Sequence, residues 1–286
     1  MMISKTEQEL FELEVISNYI IPIGVVLIVL FILYRLMRIF QLFYASTYNK
    51  PLFVYRFFKL SNLPTKQKEI LENEHSFFGK LSNKHQRQFE HRVSQFIQSN
   101  TFIGKQELEV TDQMKVKIAA TASMLCFGFK KHQLDIIENV IIYPNAYYSQ
   151  TNKTFHKGEV NPKLKTIVFS WKDFQYGYEV GDDNLNLGIH EFGHAIHLNA
   201  SMNNDVSSII FNQGYNRLVT YLQEHETLRQ QLIASKYFRA YAYTNQYEFF
   251  AVLLENFIET PSEFKLQFPE LYKCLKQMLN FKFAGY

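Results

Sequence analysis

Near the start of the chain the alternation of apolar and polar residues stops. From Val15 to Tyr34 (VISNYIIPIGVVLIVLFILY) no residue carries a charge. These twenty residues in helical form rise about 30 Å, the hydrocarbon thickness of a bilayer, so the stretch predicts a transmembrane helix. Pro22 stands near its start, where membrane helices tolerate proline. A cleaved signal peptide fits less well. Residues 1–14 carry Glu7, Glu9, Glu12 and Glu14 against a single Lys5, and Leu33, Tyr34, Leu36 and Met37 offer no small-residue cleavage site. A buried core helix is the other reading, but such a helix rarely runs this far without a charge.

Residues 35–80 are aromatic and basic, with Phe40, Phe43, Tyr44, Tyr48, Phe53, Tyr55, Phe57 and Phe58. They read as a juxtamembrane segment near the lipid headgroups, with packing of 51–64 on the folded domain as the alternative. From residue 81 the pattern becomes that of a soluble fold. Ser82 is placed to cap a helix whose Phe89, Val93, Phe96 and Ile97 form one stripe, and Thr111 or Asp112 to cap another that ends near Gly128. Asn139–Tyr143 and Thr166–Trp171 read as strands, the second with Ile167, Phe169 and Trp171 alternating against Thr166, Val168 and Ser170. The polar stretch 147–163 between them predicts a hairpin or an active-site loop. Helices follow at about 184–201, 205–223, 226–239, 245–259 and 262–281. The expected fold is α+β and helix-rich, one domain over 81–286 with a small sheet, preceded by one transmembrane helix at 15–34 and a tail at 1–14.

Composition sharpens this only in places. An apolar share of 47% is enough for a packed core, and a net charge of +3 with no dense basic run argues against direct binding of nucleic acid. Cys126 and Cys274 stand apart, which excludes both a disulfide framework and a thiolate metal site. Lys and Arg set the orientation. Lys5 precedes the apolar stretch, and Arg35, Arg38, Lys50, Arg56 and Lys59 follow it. The positive-inside rule then puts the N-terminus outside and the domain in the cytoplasm, where lone thiols stay reduced.

The chemistry is concentrated at residues 188–195, G-I-H-E-F-G-H-A. His190 and His194, four apart, lie on one helical face, so both imidazoles can converge on one Zn²⁺. Glu191 beside the first is within reach of a metal-bound water, the zincin metalloprotease pattern. Asn184 or Asn186 can cap this helix, and Gly193 inside it fits a backbone that passes close to another element. A catalytic zinc takes a third protein ligand. Glu248, in a helix capped by Thr244 or Asn245 and set among Phe249, Phe250 and Leu253, is the candidate, since a carboxylate in apolar surroundings needs a cation. On the residues alone, a glutamate favoured by an ordinary helix N-terminus explains it equally.

Several segments together resemble the Mlc titration factor (MtfA-like) family of zinc peptidases, itself similar to the catalytic domain of anthrax lethal factor. They are G-I-H-E-F-G-H-A, Y-E-F-F-A-V-L-L-E from Tyr247, L-E-V-T-D-Q-M-K-V-K-I-A-A-T-A at 108–122, V-I-I-Y-P at 140–144, G-E at 158–159, V-F-S-W-K-D-F at 168–174 and F-P-E-L-Y at 268–272. The resemblance covers about 81–286 and implies a gluzincin-type zincin domain. It implies Zn²⁺ on His190, His194 and Glu248, Glu191 as general base, and Tyr241 as donor to the oxyanion. Glu255 is implied to orient a histidine from behind. It also implies a peptide or protein substrate and, as an alternative role, capture of a transcriptional regulator. One position departs: relatives carry an aspartate three residues after the second histidine, where this chain has His197. Helical geometry makes His197 a structural or altered supporting residue, not a ligand. As in zincins, a strand is expected to line the cleft, with Thr166–Trp171 the candidate and Ser170 and Trp171 at its border.

Overall fold

The computed structural model describes residues 7–55, 60–149 and 153–286. Lys5, Arg56, Phe57, Phe58 and Lys59 therefore lie outside the described residues. In chain order the elements are α1 (Glu7–Val15), a π-helical turn (Ile16–Ile20), α2 (Ile21–Tyr48), α3 (Thr65–Glu74), α4 (Ser76–Gly79), α5 (Asn83–Ser99), β1 (Thr101–Gly104) and α6 (Asp112–Leu125). Then come β2 (Asn139–Tyr143), β3 (Tyr147–Ser149), β4 (Thr154–His156), β5 (Gly158–Asn161), β6 (Thr166–Ser170), α7 (Trp171–Glu179), α8 (Leu187–Met202) and α9 (Val206–Glu224). The last are α10 (Glu226–Ser235), a 3-10 turn (Ala240–Tyr243), α11 (Gln246–Glu259), α12 (Pro261–Gln267) and α13 (Pro269–Met278). This is the helix-rich α+β chain with a small sheet that the pattern predicts.

The first helices run as one rod from Glu9 to Tyr48, whose most apolar window has a mean hydropathy of 2.6 and buries nothing against the rest of the chain. Pro22 has no N–H to give to the preceding turn, and the wider π turn just before it accommodates the missing bond. The rod does not stop at residue 34. It continues until Asn49, whose left-handed backbone (φ 52°) closes the helix. Its last turns dock on α9: Ala45 is fully buried with Val206 and Ile210. Lys130 donates to Gln41 Oε1, Gln213 to the carbonyl of Ser46 at 3.3 Å, and Arg217 to Asn49 Oδ1 at 3.1 Å.

The main sheet has the order β1-β2-β6-β5. The first three strands are parallel, with Val140 beside both Phe102 and Ile167, and β5 runs antiparallel with Gly158 opposite Phe169. The region 147–163 contains the separate β3–β4 hairpin and then β5. All five positions of β6 are buried, so the alternation between its two sets of residues is not one of core face against wet face: both faces of the strand are covered. β6 also ends one residue early. Ser170 caps α7, taking the Asp173 N–H at 3.4 Å and donating its hydroxyl to Asp173 Oδ2 at 2.5 Å, so Trp171 starts a helix that the pattern did not announce. The expected helix 262–281 is two helices, because Pro269 pushes Phe268 out of helical geometry (φ −136°).

Helices α5, α6, α8 and α11 carry the core, through Phe89, Ile118, Phe192 and Leu253 among others. The core also takes in Leu63, Leu71, Phe77 and Phe78, ahead of residue 81. Arg92 is buried within it and donates to the carbonyls of Cys126, Phe127 and Phe129 at 2.7–3.0 Å, which closes the C-terminal end of α6. Gly193 brings α8 against α11: a Cβ there would lie 3.2 Å from the Leu254 side chain and 3.5 Å from the Ala251 backbone.

Candidate metal centre

Three short-range devices aim the site. Asn186, not Asn184, caps α8: its Oδ1 takes the Ile189 N–H at 3.0 Å, while its amide donates to Gly177 O at 2.5 Å and to Glu259 Oε1 at 2.9 Å. Asn184 instead sits in the left-handed region (φ 56°) and receives the Thr260 hydroxyl at 3.0 Å. Asn245, not Thr244, caps α11, with Oδ1 accepting from the N–H groups of Tyr247 and Glu248. With both helices capped and packed through Gly193, the first turn of α11 faces the middle of α8.

There His190, His194 and Glu248 meet. His190 Nε2 is 2.9 Å from Glu248 Oε2 and 3.1 Å from His194 Nε2, and His194 Nε2 is 3.4 Å from the same carboxylate oxygen. One donor atom from each residue lies within 4.8 Å of the others. Two imidazole nitrogens and one carboxylate oxygen, converging from two rigid helices, fit the three-ligand set of a catalytic zinc. The electrostatics agree. Burial works against a charge on His190, but the Glu248 and Glu255 carboxylates outweigh it and hold the imidazole up at about 9. Burial likewise opposes a charge on Glu248, and the two histidines nonetheless hold it well below the ordinary carboxylate range.

Glu191 is buried beside this cluster. Burial pushes its carboxyl above the usual value, against the pull of the two histidines. Gly158 of β5 lies directly on it: a Cβ there would come within 2.6 Å of Glu191 Cγ and Oε1. The strand whose backbone lies against Glu191 is therefore β5, the sheet edge, while the expected β6 meets α8 through Phe169 against Phe192, ring centroids 5.6 Å apart. Ser170 is fully buried in its capping role and Trp171 stacks on Phe174 at 5.6 Å, so neither borders a cleft. The next residue of β5, Glu159, receives the hydroxyls of Tyr147 at 3.4 Å and Ser149 at 3.3 Å.

Tyr241 is half exposed in the 3-10 turn, its ring 6.0 Å from that of His190. Burial and the neighbouring Glu248 and Glu191 carboxylates push its phenol up to about 12, so it remains a hydrogen-bond donor. Glu255 is fully buried behind His190, with Oε1 2.6 Å from Nδ1. Arg239 clamps Glu255 from the far side, at 2.6 and 2.8 Å. Sequence reasoning missed Arg239: it stands in an irregular segment where no periodicity links it to residue 255. His197 joins no ligand. Its ring lies among Tyr215 (4.1 Å), Tyr247 (4.9 Å), Phe211 and Phe250, and burial, then the charge of His194, pulls it down to about 4, so it is a neutral packing residue.

The sequence profile of the glucose-regulated metallo-peptidase M90 family matches residues 54–280. An uncharacterized protein of Synechocystis sp. is 25% identical over 238 residues, 76% of this chain and 86% of that protein. Mlc titration factor A of Pectobacterium atrosepticum is 26% identical over 217 residues, 69% of this chain and 79% of that protein. The same-named protein of Yersinia pestis is 26% identical over 198 residues, 63% of this chain and 72% of that one. With the match spanning most of its length, the chain belongs to the glucose-regulated metallo-peptidase M90 family.

Proposed function

We propose that this chain is a membrane-anchored, zinc-dependent metallopeptidase whose peptidase domain faces the cytoplasm. Convergence of His190, His194 and Glu248 beside a buried Glu191 is the observation that carries the reading. His190, His194 and Glu248 would hold Zn²⁺, which when bound supplies a Lewis acid that polarises a peptide carbonyl and acidifies water. Glu191 takes the proton of the attacking water and returns it to the leaving amine; its raised affinity for a proton suits both transfers. Tyr241 donates to the oxygen that gains charge. The outer edge of β5 pairs with no strand among the described residues, so an extended substrate can add there, next to Glu191.

Glu191→Gln tests the mechanism. Peptide cleavage should fall by a factor of at least about 100, the scale of a lost general base, while zinc content holds at one per chain. Full activity in that variant would remove Glu191 from the chemistry. The Mlc titration factor A relatives favour a second reading, in which the chain sequesters a transcriptional regulator and hydrolysis is secondary. Under it the biological effect survives Glu191→Gln.

The domain division is likewise our reading. A span at 15–34 leads through the rest of α2 to a peptidase domain that we take from residue 54, where the family match begins.

A further inference from the structure

We propose that Arg239 is a positioning residue for the metal centre. Its guanidinium locks the Glu255 carboxylate against Nδ1 of His190 and so keeps Nε2 of that imidazole turned toward Glu248 and His194. The inference rests on the reading of His190 as a metal ligand.

Glu255 is fully buried on α11, where a carboxylate without a cation would be unstable or displaced. Arg239 meets it as a fork, Nη1 to Oε2 at 2.6 Å and Nη2 to Oε1 at 2.8 Å. Oε1 also lies 2.6 Å from His190 Nδ1. Arg239 Nη2 is itself 3.2 Å from Nδ1, so two contacts compete for that nitrogen. If Nε2 is to offer its lone pair to a metal, the imidazole hydrogen must sit on Nδ1. Nδ1–H then donates to Oε1, the shorter contact, and the guanidinium serves the carboxylate.

The clamp is held from a second direction. Nη1 also donates to the carbonyl of Asn184, in the loop that leads into α8, at 2.7 Å. The backbone carbonyl of Arg239 accepts from Ala242 at 2.9 Å, within the 3-10 turn that carries Tyr241. One residue, through its side chain and its backbone, thus ties together the loop into α8, the carboxylate on α11 and the turn bearing the phenol. A lysine could supply the charge but not the planar fork.

The test uses the full chain in detergent, stripped of metal and titrated with zinc against a chromophoric chelator, with Co²⁺ as a spectroscopic probe. Arg239→Met should weaken zinc binding by about 10- to 100-fold and shift the Co²⁺ ligand-field bands, the scale of a lost partner behind a metal histidine. Arg239→Lys should recover part of the loss. In a Glu255→Gln background, Arg239→Met should change affinity less than about threefold, because it acts through Glu255. Wild-type affinity and an unchanged Co²⁺ spectrum in Arg239→Met overturn the proposal, as does an undiminished loss in the Glu255→Gln background. If Arg239→Met fails to fold, Arg239→Lys decides: weakened binding supports the clamp and wild-type binding overturns it. Wild-type protein that takes up no zinc would instead overturn the metal-site reading, and this inference with it.

Discussion

At the scale of single residues, two positions beside the site make the sharpest tests. Gly158 is a glycine because Glu191 occupies the space a Cβ would need. On the proposed mechanism, Gly158→Ala should push Glu191 aside and lower kcat/KM by about 10- to 100-fold, a misplacement effect, with zinc content unchanged. A variant with wild-type kcat/KM would show that Glu191 has room to move. Glu259 makes a different prediction. Burial, helped by Glu255 and Asp183 and opposed by the Asn186 amide, raises its carboxyl from 4.5 to about 7. Between those values the folded protein keeps a proton that the unfolded chain has lost. Stability therefore falls as pH rises through that window and levels off above it. Glu259→Gln keeps an acceptor for Asn186 and removes the cost, so it should stabilise by on the order of 1–2 kcal/mol at pH 8 and leave the melting temperature at pH 4 unchanged. A lower melting temperature at pH 8 sinks the idea. These residues also mark where the chain was readable. His190 and His194 sit one helical turn apart, so spacing alone puts them on one face with Glu191 beside the first, whereas Glu248 as a ligand is one of two equal readings on the residues alone and is preferred only once the family resemblance is added. Arg239 and Glu159 act through contacts between distant segments, and no local period records such contacts.

At the scale of elements, the helices over 187–259 were legible because their apolar stripes and caps are local, and the departures came from junctions. Ser170 turns the end of β6 into the start of α7, and Pro269 divides the last helix at Phe268. That β5, the sheet edge, lies against Glu191 is a matter of sheet order, which depends on crossovers and not on the residues of either strand. Asn186 shows how much rests on one junction. Its side chain caps α8 and also ties that helix to Gly177 and Glu259. Asn186→Ala loses the cap and leaves polar partners unmet, at a cost of about 1–3 kcal/mol. In a domain of this size that should lower the melting temperature by about 2–10 °C. Asn186→Asp keeps the cap oxygen and should recover part of it; a melting temperature unmoved by Asn186→Ala would show that the contacts to Gly177 and Glu259 carry no weight.

At the scale of the whole molecule, the proposed membrane anchor makes the length of the N-terminal rod decisive. Its 40 residues from Glu9 to Tyr48 rise about 60 Å, twice the hydrocarbon thickness, so only half can lie among lipid chains. Arg35 and Arg38 mark where the apolar half ends, and the last turns are held on α9 through Ala45. Under the proposed anchoring, the remaining turns form a strut between bilayer and domain, not a flexible tether. Basic residues gather after the span, which predicts the N-terminus outside and the domain inside. With tags at both ends, protease added to right-side-out vesicles should remove the N-terminal tag and spare the C-terminal one. Inverted vesicles should give the reverse. Replacing Arg35 and Arg38 together by Gln should yield a mixed population, because it weakens the charge bias next to the span. Digestion of the C-terminal tag from outside would reverse the orientation, and release of the whole chain by alkaline wash would remove the span. In either case the convergence of His190, His194 and Glu248 would stand unaltered, since these residues come from α8 and α11 alone.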